Sequence, residues 1–100
     1  MEKIRMAIIG CGRISYKHVE AIIQNKDEIE LVAVCDVVEV NATAKKDEYI
    51  KKIGKDVELK VYTDYKEMLE KEDIDMVSIA TESGYYPQIA IYCMNKGKHV

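Results

Sequence analysis

Residues 4–15 read Ile4-Arg5-Met6-Ala7-Ile8-Ile9-Gly10-Cys11-Gly12-Arg13-Ile14-Ser15. A short apolar run leads straight into a glycine cluster. Such a run suits a strand covered on both faces, as in a parallel sheet clad by helices. A helix is predicted next, from Arg13 to about Asn25, with Ile14, Ala21 and Ile22 as inward candidates. Gly10 serves a tight turn out of the strand. Gly12 lets a ligand approach the backbone. The third position of the pattern lies where helix and strand pack, and here it is Ser15 rather than Gly or Ala. The free N–H groups and positive end of the following helix suit a pyrophosphate. A lone Gly-x-Gly is also just a glycine-rich turn; its place between an apolar strand and a helix makes it a phosphate loop.

The same alternation continues outward. Glu30–Cys35 is a second buried strand, ending at Asp36. Asn41–Ile53 is rich in Ala, Lys and Glu and stops at Gly54, a helix-ending residue. Glu58–Tyr62 alternates as a third strand. Asp64, three residues before Glu67, opens a short helix as in a capping box. Met76–Ala80 is a fourth strand. Pro87 fits the first turn of a helix that runs to about Asn95 and ends at Gly97. Lys98-His99-Val100 begins a fifth strand. Strands and helices alternating through short links imply right-handed parallel crossovers. The fold class is therefore α/β, a doubly wound parallel sheet; with the glycine loop it reads as the Rossmann type, for which the expected strand order is 3-2-1-4, with the fifth strand only begun. The charged runs Lys45–Lys52 and Glu67–Asp75 read as solvated faces.

Asp36 ends the second strand, 24 residues after Gly12. A carboxylate there accepts hydrogen bonds from the adenosine ribose hydroxyls of a dinucleotide. Alone it is an ordinary polar strand end; with the loop upstream it reads as a ribose ligand. Val37, Val38 and Glu39 follow, with no Arg or Lys to meet a 2′-phosphate. The cofactor indicated is NAD rather than NADP. The third segment, Thr81-Glu82-Ser83-Gly84-Tyr85-Tyr86-Pro87, follows the fourth strand at the edge where ligands bind in open sheets. It reads equally well as the nicotinamide end of a cofactor site and as a plain strand-to-helix turn.

Bulk properties agree. The 100 residues suffice for one small domain, and 48% are hydrophobic, enough for a core. A net charge of −3 argues against nucleic-acid partners and against anionic membranes. No segment reads as a signal peptide or membrane span, so the cytoplasm is the default location. Cys11, Cys35 and Cys93 are far apart, in or beside apolar segments, and read as buried reduced thiols; with His18 and His99 isolated, no metal site is indicated.

Three segments together resemble the N-terminal domain of the glucose–fructose oxidoreductase, inositol dehydrogenase and rhizopine-catabolism (Gfo/Idh/MocA) family. They are Ala7–Ile14, Leu31–Asp36 and Val77–Thr81 running on to Pro87; Tyr62-Thr63-Asp64-Tyr65 also looks like the family's segment after its third strand. The resemblance covers essentially the whole chain. It implies an NAD(P)-dependent oxidoreductase acting on sugars, cyclitols or their derivatives. A second α/β domain would follow, supplying much of the substrate site and often the oligomer interface. By position, Gly10, Gly12, Arg13 and Ile14 would hold the phosphates, Asp36 the ribose, and Thr81, Ser83 and Tyr86 the nicotinamide half. Tyr86 stands where the family often has His before the proline. The family's Glu-Lys-Pro motif, with its catalytic lysine, follows the fifth strand, and Lys98 precedes that position. The chain thus reads as residues 1–100 of a longer protein, its substrate domain absent and the chain alone inactive. The Gly-Cys-Gly-Arg-Ile-Ser loop and the Thr-Glu-Ser-Gly segment look closest to UDP-N-acetylglucosamine 3-dehydrogenase-like members. Alternatives are an inositol or other sugar dehydrogenase, a non-catalytic NAD-binding or sensing module, and a flavodoxin-like domain without nucleotide chemistry, which has no need of the Gly-x-Gly turn.

Overall fold

The computed structural model describes residues 3–10, 16–54, 57–80 and 86–100. Strands β1 (Ile4–Ile9), β2 (Ile29–Cys35), β3 (Lys60–Tyr62) and β4 (Met76–Ile79) alternate with helices α1 (Tyr16–Gln24), α2 (Glu39–Ile53), α3 (Tyr65–Lys71) and α4 (Tyr86–Asn95). The sheet is parallel, in the order β3-β2-β1-β4. That is the doubly wound order read from the sequence. The fifth strand is indeed begun: His99 bridges Met76 in parallel, and Val77 N–H donates to the His99 carbonyl at 2.7 Å.

Two apolar cores sandwich the sheet. On one face, Ile8, Leu31 and Val34 pack with Val19 and Ile22 of α1 and Ala42 and Tyr49 of α2. On the other, Ala7, Ile9, Ala33, Cys35, Val77 and Ile79 pack with Met68 and Leu69 of α3 and Ile89, Ala90 and Cys93 of α4. Alternate residues of β1 feed alternate cores, which is why the strand is apolar throughout. β2 breaks the alternation once. Met6 pairs with Leu31 and Ala7 with Ala33, so Val32 is an extra residue that bulges and restores the phase beyond it.

Several boundaries and burials differ from the expectation. On α1 the inward residues are Val19 and Ile22, whereas Ala21 is exposed. A three-residue step keeps one helical stripe; Ala21 lies off it, and Ile14 is outside the described residues. α2 starts at Glu39 rather than Asn41, because Val38 is the extended residue that precedes it. β3 is shorter than the alternating pattern, although Leu59 just before it is 2% exposed. Asp64 caps α3 by accepting from Lys66 N–H, while Glu67 turns instead toward Lys71. Lys45 is no solvated residue. It is 6% exposed, on the same stripe as Ala42 and Tyr49, with its Nζ 3.0 Å from Glu48 Oε1. Its long alkyl stem fills an inward position while the ammonium reaches a carboxylate. Cys35 and Cys93 are buried, and Cys11 is outside the described residues. Among the described residues no helix is long and apolar enough to cross a membrane.

Candidate cofactor site at the carboxyl edge of the sheet

β1 and β2 end level, with Ile9 opposite Cys35, and β1 and β4 end level, with Ile9 opposite Ile79. The next residue of each strand is held by its neighbour. Gly10 N–H donates to the Cys35 carbonyl at 2.8 Å, Ala80 N–H to Ile9 at 2.8 Å and Asp36 N–H to Tyr62 at 3.1 Å. Three chain exits are therefore fixed side by side along one edge. After β1 the chain winds outward through β2 and β3, then returns to place β4 on the opposite flank of β1. The crevice between those exits is the topological switch point of the sheet, where open α/β sheets bind ligands.

Gly10 has φ 91° while still bonded to β2. A side chain at that φ is strained, so the tight exit from β1 requires glycine. This is the turn expected of the first glycine of a phosphate loop. Gly12, Arg13 and Ile14 lie outside the described residues, as do Thr81 and Ser83. Tyr86 is the first residue of α4, at the same edge, but its side chain is not among those described.

Asp36 is half-buried at the end of β2, and its Oδ1 accepts from Val38 N–H at 2.8 Å. The carboxylate is thus set by the backbone of the turn that enters α2. Sequence reasoning had used Val37 and Val38 only as residues lacking positive charge. The structure adds that Val37 and Val40, 88% and 69% exposed, form an apolar lip close to Asp36 in sequence. Large apolar side chains this exposed next to a carboxylate suit a flat heteroaromatic ring. The only sequence signal was three valines close together at a helix start, where polar capping residues are the rule. The residues present fit a dinucleotide: a glycine turn, a half-buried carboxylate at the end of β2 and exposed valines on one edge.

A cleft of about 400 Å³ opens elsewhere, lined by Arg5, Glu30, Tyr49, Val57, Lys60 and Glu72. It lies at the start of the strands, away from the crossover exits. Its charges already have partners: Arg5 with Glu30 at 3.5 Å, Lys60 with Glu58 at 3.0 Å, and Glu72 with the Tyr62 hydroxyl. Burial first, then the Glu72 carboxylate, pushes the Tyr62 phenol up to about 12. The fold's ligand geometry points to the other edge.

Residues 4–100 match a family described as an oxidoreductase family with an NAD-binding Rossmann fold. The chain belongs to the Gfo/Idh/MocA oxidoreductase family. The match is to the family's NAD-binding Rossmann fold, and the sheet order and the turn at Gly10 agree with it. It superposes on the WlbA dehydrogenase of Bordetella pertussis, solved with NADH and UDP-GlcNAcA, with TM-score 0.83 and 34% identity, covering 99% of this chain and 28% of that one. It is 29% identical over 97 residues to inositol 2-dehydrogenase of Salmonella paratyphi B, covering 97% of this chain and 27% of the relative. It is 33% identical over 103 residues to an alpha-N-acetylgalactosaminidase of Shewanella oneidensis, covering 99% of this chain and 22% of that relative. The Gfo/Idh/MocA chain thus spans about a quarter of the length of the relatives it matches.

Proposed function

We propose that this chain holds NAD for a protein that transfers a hydride between NAD and a hydroxyl of a sugar or nucleotide sugar. Asp36 at the end of β2, held by Val38 N–H beside the positive-φ turn at Gly10, carries the reading. Gly10, Gly12, Arg13 and Ile14 cradle the pyrophosphate, and Asp36 accepts from the ribose hydroxyls. Val37 and Val40 pack on the adenine. Thr81, Ser83 and Tyr86 border the nicotinamide. NAD supplies the hydride acceptor at a ring carbon; the chain's part is to bind and orient it. The chain spans about a quarter of the length of the relatives it matches, and none of its residues is assigned to moving the hydroxyl proton or gripping the substrate. The likeness to a dehydrogenase solved with a UDP-sugar supports a nucleotide-sugar substrate, of the UDP-N-acetylglucosamine class.

A second reading, cleavage of an N-acetylgalactosaminide, is favoured by the 33% identity to the Shewanella oneidensis glycosidase. The two diverge in their products. The protein carrying this domain is incubated with NAD and UDP-N-acetylglucosamine, scyllo- or myo-inositol, or an N-acetylgalactosaminide. Net NADH formation with a sugar or nucleotide sugar is the expected result. Released N-acetylgalactosamine without net NADH would establish the second reading instead. The 100-residue chain alone is expected to bind NADH without turnover.

A further inference from the structure

We propose that His18 and Ser78 form a strut that sets the spacing between the phosphate half and the nicotinamide half of the cofactor site. The inference rests on the cofactor reading above. His18 lies in the first turn of α1, three residues after Ser15, where the phosphate loop ends in sequence. Ser78 lies on β4, three residues before Thr81, where the nicotinamide segment begins. His18 Nδ1 and Ser78 Oγ are hydrogen-bonded to each other. The bond therefore joins the element that leaves one half of the site to the strand that enters the other.

Ser78 is half-buried in a row whose neighbours are apolar. It pairs with Ile8, which pairs with Val34, and both are fully buried in the core beneath α1 and α2. The half-buried Ser78 hydroxyl meets the half-buried His18 ring, so the two polar side chains satisfy each other between α1 and β4. Burial, and then the nearby Lys45 ammonium, hold His18 below its ordinary value of 6.5, so the imidazole is neutral at neutral pH. A neutral ring has one bare nitrogen and one N–H, so with either tautomer Nδ1 and the serine hydroxyl form one directional bond. Val19 and Ile22 already seat α1 on the sheet, and the hydrogen bond adds a direction-specific tie between α1 and β4 at Ser78.

The test compares two nucleotides. ADP reaches only the phosphate loop and Asp36, whereas NADH also reaches the Thr81 segment. Ser78→Ala is expected to weaken NADH about five- to tenfold, the scale of one net hydrogen bond. It should change ADP affinity less than twofold. Ser78→Thr, which keeps the hydroxyl on a strand, should bind NADH as the wild type does. His18→Leu provides an independent cut and should repeat the Ser78→Ala split. Equal losses for NADH and ADP, or no loss for either, would overturn the strut while leaving the cofactor reading in place. A wild-type chain that binds neither nucleotide would overturn the cofactor reading, and the strut with it.

Discussion

The backbone N–H of Val38 donates to Asp36 Oδ1 at 2.8 Å, so the carboxylate at the end of β2 is oriented by the residue that precedes α2. Val38 makes no side-chain cap bond to the helix. Valine is among the poorest residues for that position, and Ser or Asp there typically adds about 0.5–2 kcal/mol. The helix start gives up stability where the apolar lip stands.

Val38→Ser is therefore expected to raise stability by about 0.5–1 kcal/mol, visible as a higher denaturant midpoint. NADH affinity should not rise with it. A less stable Val38→Ser protein would show that the backbone at this position does not admit a side-chain cap.

His18 gives the fold a pH dependence near neutrality. Its folded value lies below the ordinary 6.5, through burial and then Lys45. Between the two values the unfolded chain holds more protons, so stability rises with pH. The contribution is complete above about 6.5 and is lost as pH falls through the lowered folded value. Chemical denaturation at a series of pH values from 5 to 7.5 should show this slope in the wild type and a smaller one in His18→Gln. Identical slopes would place the His18 value at its ordinary position.

Lys45→Met tests the same neighbourhood from α2. The substitution retains much of the buried stem but leaves Glu48, whose carboxylate pairs with Lys45 at 3.0 Å and Lys52 at 3.6 Å. With Glu48 partly solvated and Lys52 still near, the expected loss is about 1–2 kcal/mol, below the range for breaking a fully buried pair. In nuclear magnetic resonance titration the His18 ring should move up toward 6.5, because a neighbouring positive charge is gone. An unmoved His18 would mean that burial alone sets its value.

Much of this was legible beforehand because it depends on short-range patterns. The apolar runs around Ile8, Val34 and Val77 announce buried parallel strands, and Gly10 and Gly54 mark turns where φ is positive. Alternation and crossover handedness limit the sheet to doubly wound orders, and the Gly-x-Gly turn points to the dinucleotide-binding one, 3-2-1-4. The departures have tertiary causes. Lys45 is charged, and only the packing of α2 on the sheet shows that its stem faces inward. Ala21 is apolar but small, and a helix rotated to bury Val19 and Ile22 has no room for it on the same stripe. The Val37–Val40 lip and the His18–Ser78 bond join residues whose relation depends on how α1, α2 and β4 are placed together.

The outer flank of β4 bears on self-association. Among the described residues that flank carries the Met76–His99 bridge, and on α4 Ile91 and Met94 are 55% and 56% exposed. An open strand edge beside exposed apolar side chains templates pairing with another chain. The 100-residue chain is expected to elute as a dimer or larger species when light scattering follows size exclusion at micromolar concentration. A cooperative monomer would show that Lys98–Val100 already closes the edge.

The most direct test of the cofactor assignment is calorimetric titration of the chain with NADH and with NADPH under one buffer condition. In the proposed site Asp36 would accept from the ribose hydroxyls, and a 2′-phosphate would remove one donor and add repulsion. NADH is expected to bind at least about tenfold more tightly, and Asp36→Ala should narrow that ratio. Equal affinity for NADH and NADPH, or a ratio unchanged by Asp36→Ala, would contradict the placement of the adenosine ribose at Asp36.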